Sequence, residues 1–266
     1  MLKKRLITAL IGIPLIVLPI WFGQLWFTVI VAVWGVLAGY EFYKMAASAK
    51  AQPITFIGLI GILLFVVSPH INHEGTLPLL LTSIVVIPLI ILLLRHKEER
   101  NFGSWVWTIS GILYIGWMLS HFVALRNLDG GRNWIFLAFL VTFAYDSSAF
   151  FVGRTWGRHY MVPSISPKKT WEGALGGVSG AIFVSLLFLI PTPLQLPITF
   201  WQAILLGVMI SVFAQVGDLV ESLLKRSTGM KESGTLLPGH GGFLDRIDSI
   251  VFAGIVVYYY VIWVIV

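Results

Sequence analysis

The sequence predicts an all-α, polytopic integral membrane protein of about nine transmembrane helices, with its N-terminus cytoplasmic and its C-terminus outside. Three observations predict this. The first is composition: of 266 residues 58% are hydrophobic and 11% charged, at a mean hydropathy of +0.90. A soluble domain carries about 25% charged residues, so a water-facing surface cannot be built from this chain, and disorder needs low hydrophobicity. The second is segment length, since a helix crosses the hydrocarbon core with about 20 apolar residues. The third is charge placement. With the N-terminus inside, all of the 18 Lys and Arg except Arg126 and Arg132 fall on cytoplasmic connections. That is the asymmetry that orients membrane proteins, and it also explains the +6 charge without nucleic acid.

Taken in order, the apolar segments are 5–22, 24–43, 53–69, 76–94, 104–125, 133–153, 171–191, 199–224 and 249–266. The first follows Lys3, Lys4 and Arg5 as a signal peptide would, but no small-residue cleavage site comes after it, so it reads as a retained span. The turn Pro191–Pro197 is a short outside connection. Two inside connections, Gly153–Thr170 and Lys225–Asp248, are long and rich in glycine and polar residues, which in a compact chain points to function. There is no cysteine, which removes disulfides, thiolate metal sites and cysteine nucleophiles. No tandem repeat or soluble appendage is present. The chain therefore reads as a single membrane-embedded domain over 1–266, with 1–130 mainly scaffold and 140–250 holding the polar motifs.

Four acids, Asp146, Glu172, Asp218 and Glu221, lie in or at the edges of apolar segments. A carboxylate there normally faces a bundle interior or a watery cavity; a structural ion pair is the alternative for any one of them. On a helix, residues three or four apart share a face, so Asp218, Glu221, Ser222 and Lys225, with Arg226 at a wider angle, form a polar stripe. Two carboxylates one turn apart beside a hydroxyl are hard oxygen ligands suited to Mg2+. Further on, Gly239, Gly241 and Gly242 flank His240, leaving backbone free to approach a ligand and to turn N–H groups toward phosphate. A hinge before the last span is the alternative. Asp245 and Asp248 follow, three apart with Arg246 between them, a pattern for metal or anion chemistry at a helix N-terminus. A third cluster runs from Asp146 through Arg154 and Arg158 to Ser166, Lys168 and Lys169, and suits phosphate or anionic lipid headgroups. Gly173, Gly176, Gly177 and Gly180 read as a close helix-packing seam.

The run Ser222-x-x-Lys-Arg-x4-Lys231-x-Ser-Gly-x-x-Leu-Pro-Gly-His240-Gly-Gly-x-x-Asp245-Arg-Ile-Asp248 resembles the signature of the phosphatidate cytidylyltransferases, or CDP-diacylglycerol synthases. The segments Asp146-Ser-Ser-Ala-Phe-Phe-x-Gly153 and Ser166-Pro-Lys-Lys-Thr-Trp-Glu-Gly-x-x-Gly-Gly177 are also similar to that family, and the similarity extends over essentially the whole chain. One departure is Lys231-Glu232, where the family usually has Lys-Asp; it bears on donor or acceptor preference. The resemblance implies transfer of the cytidylyl group of CTP to phosphatidate, giving CDP-diacylglycerol and pyrophosphate. It also implies Mg2+, with a monovalent cation such as K+ as a second ion. A phosphate monoester is already ionised near neutral pH, so the task is electrostatic: bringing two polyanions together and stabilising the leaving pyrophosphate.

On that reading the catalytic set is Asp218, Lys225, Arg226, His240, Asp245, Arg246 and Asp248. Metal falls to Asp218, Asp245, Asp248 and Asp146. Ser222, Lys231, Gly241 and Gly242 would hold the nucleotide, and Ser166, Lys168 and Lys169 the lipid headgroup. The expected partners are CTP, phosphatidate and membrane lipids, with no nucleic acid, and a homodimer is the expected assembly. The expected location is a bacterial cytoplasmic (inner) membrane, with the active site facing the cytoplasm. The competing readings are a CTP-dependent enzyme acting on another lipid phosphate, an inactive scaffold and a secondary transporter. A transporter's broken helices recur in repeated halves, and the first 130 residues hold no second copy of the polar clusters.

Overall fold

The computed structural model describes residues 12, 14–71, 73–95, 101–236 and 241–266. They are mostly helical. A helical stretch at 14–22 precedes α1 (Gln24–Ser48), α2 (Thr55–Val67, continued by a 3-10 turn at Ser68–His70), α3 (Thr76–Leu94) and α4 (Phe102–Asn127, with a π turn at Ile112–Trp117). Then come α5 (Gly131–Trp156), strands β1 (Tyr160–Val162) and β2 (Ser166–Thr170), α6 (Trp171–Leu187), α7 (Phe200–Ser227) and α8 (Leu244–Ile265). Six of these helices, α1, α3, α4, α5, α7 and α8, are long and apolar enough to cross a membrane. Two more, Thr55–His70 and Trp171–Leu187, are apolar but shorter. Pro53 and the Ser68-Pro69 turn bound the first of them. The second begins at Trp171 and ends at Leu187, ahead of the Pro191–Pro197 turn, and so has 17 residues, about 26 Å at 1.5 Å per residue.

The chain packs as two compact units. One holds the residues through Asn127 together with Lys225–Arg246; the other holds Leu128–Leu224 and Ile247–Val266.

In the first unit the buried stripe of α1 runs Phe27, Val31, Trp34, Ala38, Glu41, Met45, the three-and-four spacing of one helix face. The opposite face leaves Leu25 and Trp26 exposed, as suits a lipid solvent. Helix α2 lies tightly on α1 because the facing residues are small. A Cβ on Gly35 would come within 2.8 Å of Ile62, and one on Gly39 within 2.5 Å. The π turn of α4 brings Gly116 so near that its Cβ would stand 2.7 Å from the Ile62 Cα. Small residues permit such approach where no hydrophobic force joins helices in lipid. Buried polar groups close on each other: Tyr43 donates to the Thr108 carbonyl at 2.9 Å, and Thr108 Oγ1 accepts from Ile54 N at 2.9 Å.

The C-terminal turn of α7 belongs to this unit and ends in a Schellman motif. Gly229 (φ +73°) lets Met230 N reach the Lys225 carbonyl at 2.8 Å and Gly229 N the Arg226 carbonyl at 3.1 Å.

In the second unit the α6 glycines form the predicted seam. Gly173 lies against Gly153, Gly176 against Val152, Gly177 against the Tyr145 ring and Gly180 against Ser148, all on α5. Gly207 of α7 meets the Ile182 backbone of α6, and Gly217 of α7 meets the Asp248 carbonyl of α8. The Pro191–Pro197 turn is held by Arg132 and Asn133, which both donate to the Pro193 carbonyl at 3.2 Å.

The long inside connection Gly153–Thr170, expected to be irregular, is partly regular. That loop folds as an antiparallel hairpin, pairing Tyr160 with Thr170 and Val162 with Ser166. The strands are too short and polar to show alternation. What closes them is Glu172, whose carboxylate accepts from Arg158 N at 3.1 Å and His159 N at 3.2 Å and pairs with the His159 ring. Thr170 caps α6 by accepting from Gly173 N at 3.2 Å.

Candidate active site

The second unit contains a cleft of about 690 Å³, lined among others by Asp146, Arg154, Tyr160, Lys168, Lys169 and Asp218. Helix α5 supplies Asp146, the hairpin supplies the two lysines and α7 supplies Asp218. Lys169 Nζ lies 2.6 Å from Asp218 Oδ2, with both side chains partly exposed. Ser222, one turn on, donates to Asp218 Oδ1 at 3.3 Å. Tyr145 donates to Gln215 Oε1 in the wall of the same cleft. Glu172 stands outside this chemistry, as the clasp of the hairpin. Glu221 is fully buried on α7.

The first unit holds the second cluster. Lys225 Nζ pairs with Asp245 Oδ1 at 2.6 Å, with both side chains largely buried. Asp245 Oδ2 accepts from Ser233 N and Gly242 N, each at 3.0 Å, and Ser233 Oγ also lies 3.0 Å from it. The Gly242 N–H therefore points at the Asp245 carboxylate in the first turn of α8. Gly241 carries φ +81°, and a Cβ there would stand 3.3 Å from Asp245 Oδ2 and 3.5 Å from Glu232 Oε2. Glu232, the departure from the family pattern, thus reaches the same glycine. Arg226, Lys231 and Arg246 are exposed. His240 lies outside the described residues. Asp248, in the second unit, accepts from Ser249 N at 2.7 Å and turns its carbonyl to Gly217.

The predicted residues therefore gather as two sets. Asp146, Lys168, Lys169 and Asp218 share the cleft of one unit; Lys225, Gly242 and Asp245 form a network in the other. Ser166 is half-buried in β2. Among the described residues no three His, Cys, Asp or Glu side chains converge as a metal cage. Magnesium is ordinarily held by one or two carboxylates plus substrate phosphates, and the cleft's two carboxylates match that donor set.

One participant was missed by sequence reasoning: Glu41, 1% exposed, whose Oε2 accepts from Ser233 Oγ at 3.0 Å and Leu244 N at 2.9 Å. The signal was available, since Glu41 sits in the apolar stripe of α1 where the three-and-four spacing calls for a hydrophobe.

Residues 3–264 match the model of the cytidylyltransferase family. The chain belongs to that family. As a member of it, it is 34% identical to the phosphatidate cytidylyltransferase of Bacillus subtilis (strain 168), over 94% of each chain. It is 33% identical to the phosphatidate cytidylyltransferase of Brucella abortus biovar 1, over 97% of this chain and 92% of that one. It is 32% identical to phosphatidate cytidylyltransferase 5, chloroplastic, of Arabidopsis thaliana, over 97% of this chain and 71% of that one. The family match spans both units, including the α1–α4 region that holds no signature residue.

Proposed function

We propose that this integral membrane enzyme transfers the cytidylyl group of CTP to phosphatidate, forming CDP-diacylglycerol and pyrophosphate for phospholipid synthesis. Family membership together with the relatives' shared name supports the reaction. The observation that carries the site assignment is the cleft that puts Lys168, Lys169 and Arg154 beside Asp146 and Asp218 within an apolar helical unit. A lipid phosphate needs both: cations for its headgroup and apolar surroundings for its chains.

In the transfer, a phosphate oxygen of phosphatidate bonds to the α-phosphorus of CTP, and the bond from that phosphorus to the bridging oxygen breaks to release pyrophosphate. No proton must be removed from the ionised nucleophile. The work of the chain is to hold the two anions in line and to neutralise charge. Lys168 and Arg154 receive the lipid headgroup at the cleft rim, and Lys169, anchored by Asp218, holds a phosphate oxygen. Lys225, Arg226, His240, Gly241 and Gly242 are the nucleotide-holding set that the family signature implies. Asp146 and Asp218 would hold Mg2+, which would supply further charge neutralisation.

The proposal extends to topology: nine spans, N-terminus inside, C-terminus outside, in a bacterial inner membrane with the cleft opening to the cytoplasm. The correspondence of every described apolar segment to a helix supports it, as does the placement of Lys and Arg. Because the chain has no cysteine, single variants test it directly: Ser164→Cys should label only from the cytoplasmic side and Thr192→Cys only from outside.

The reaction is tested in detergent micelles with labelled CTP and phosphatidate, with and without Mg2+, following CDP-lipid and pyrophosphate together. Equal, metal-dependent release of both supports the reading. Absence of turnover by folded protein across several lipid phosphates rejects it.

A further inference from the structure

Helix α1 of the scaffold region sends one acid toward the signature residues Ser233 and Leu244. Glu41 is fully buried on α1, and its Oε2 takes two hydrogen bonds from residues about 200 positions away: Ser233 Oγ at 3.0 Å and Leu244 N at 2.9 Å. Leu244 is the first residue of α8, so its N–H is one of the donors a helix cannot satisfy internally. Glu41 therefore caps α8 from another helix.

The bonds have a consistent direction. Asp245 N donates to Ser233 Oγ at 3.3 Å. The Ser233 hydroxyl has one proton, and Glu41 Oε2 accepts it, because Asp245 Oδ2 already has the Ser233 and Gly242 N–H groups at 3.0 Å. Asp245 Oδ1 is then left to Lys225 at 2.6 Å. The chain Glu41, Ser233, Asp245, Lys225 is continuous.

The glycines confirm how closely this fits. A Cβ on Gly234 would collide with Glu41 Oε1, and one on Gly242 would stand 2.7 Å from Glu41 Oε2 and overlap Ser233 Oγ. Gly234 of the signature thus packs directly on a residue outside the signature, while Gly242 packs first on Ser233 and Gly234.

We propose that Glu41 is a positioning residue for the transfer reaction: it fixes Ser233 and the start of α8, so that Asp245 holds Lys225 in one geometry. This rests on the functional reading above. Glu41 touches no substrate and acts only through Ser233 and Leu244.

The test uses the full chain in detergent micelles. Glu41→Gln keeps an acceptor of the same size for both donors, whereas Glu41→Ala removes it. Hydrogen bonds to a charged group predict a kcat/KM loss for CTP of about 10- to 100-fold for Glu41→Ala, with KM for phosphatidate within about threefold of the parent and Glu41→Gln recovering most of the rate. Gly234→Ala should lower kcat/KM for CTP in the parent yet add nothing in the Glu41→Ala background, since its clash partner is gone; a purely global loss of stability would not produce that coupling. Parent-like kcat/KM for CTP in folded Glu41→Ala and Glu41→Gln, or multiplicative effects of Glu41→Ala and Gly234→Ala, overturn the proposal. Hydrogen–deuterium exchange separates this from failure of the reaction assignment. If the parent transfers no cytidylyl group to any lipid phosphate, faster exchange at 233–236 and 241–246 on Glu41→Ala still supports the positioning role, and unchanged exchange defeats it.

Discussion

The ion pair at the centre of the cleft makes the sharpest prediction. Lys169 Nζ and Asp218 Oδ2 stand 2.6 Å apart, with side-chain exposures of 20% and 33%. A hydrogen bond to a charged group contributes about 1.5–3 kcal/mol. Solvent reaching a third of the carboxylate screens the pair, so the lower part of that range, about 1.5–2 kcal/mol, applies. At 1.36 kcal/mol per tenfold, Lys169→Met and Asp218→Asn should each reduce kcat/KM by roughly 10- to 30-fold. Asp218→Asn should also move the Mg2+ dependence to higher concentration, because one of two carboxylates is lost, whereas Lys169→Met should not. The assay is initial-rate formation of CDP-lipid in micelles across a Mg2+ series, on variants whose helical circular dichroism matches the parent. Combining the two changes should lower the rate little beyond either alone, since each already breaks the same contact. A double variant whose loss is the product of the single losses would show that the pair is not a functional unit. Full Mg2+-dependent turnover by Asp218→Asn would remove that carboxylate from the metal assignment.

Three other predictions test the scaffold around the site. Gly177→Val places a branched side chain where a Cβ already stands 2.6 Å from the Tyr145 ring; a loss of about 1–3 kcal/mol for overpacking should appear as a lower unfolding temperature in detergent. Tyr43→Phe removes the buried 2.9 Å bond to the Thr108 carbonyl and should lower stability by about 1 kcal/mol with turnover unchanged, so a large kcat effect would contradict the structural role given to Tyr43. Glu172→Ala frees the Arg158 and His159 N–H groups and loosens the hairpin that carries Lys168 and Lys169. KM for phosphatidate should rise several-fold while limited proteolysis cuts faster within 157–170, and an unchanged cleavage rate would contradict the clasp.

Much of the site was legible before any coordinates. Asp146 and Asp218 stood out because charge in an apolar segment must have a reason, Lys168 and Lys169 as basic residues among Ser and Thr at a membrane surface, and the structure gathers the four in one cleft. The pairing was less legible. The sequence suggested Asp218 with Glu221 and Lys225 along one helix face; in the structure Asp218 meets Lys169 from the hairpin, while Lys225 meets Asp245. The hairpin itself escaped, since Ser166–Thr170 has neither alternation nor apolar content and is held by Glu172 instead. Gly242 was read as a phosphate-facing turn, and its N–H is directed at Asp245.

Composition and periodicity by themselves determined the solvent, the helical class, the positions of the segments and the list of residues too polar to face lipid. These are properties of local chain, because hydropathy and helix spacing act over one or two turns. Partner choice was decided only by tertiary structure. Helix packing set by Gly35, Gly39 and Gly116 in one unit, and by Gly173, Gly177 and Gly207 in the other, brings together side chains that no periodic pattern relates. Glu41 meets Leu244, 203 positions away, because a buried carboxylate must find donors wherever the packed backbone presents them.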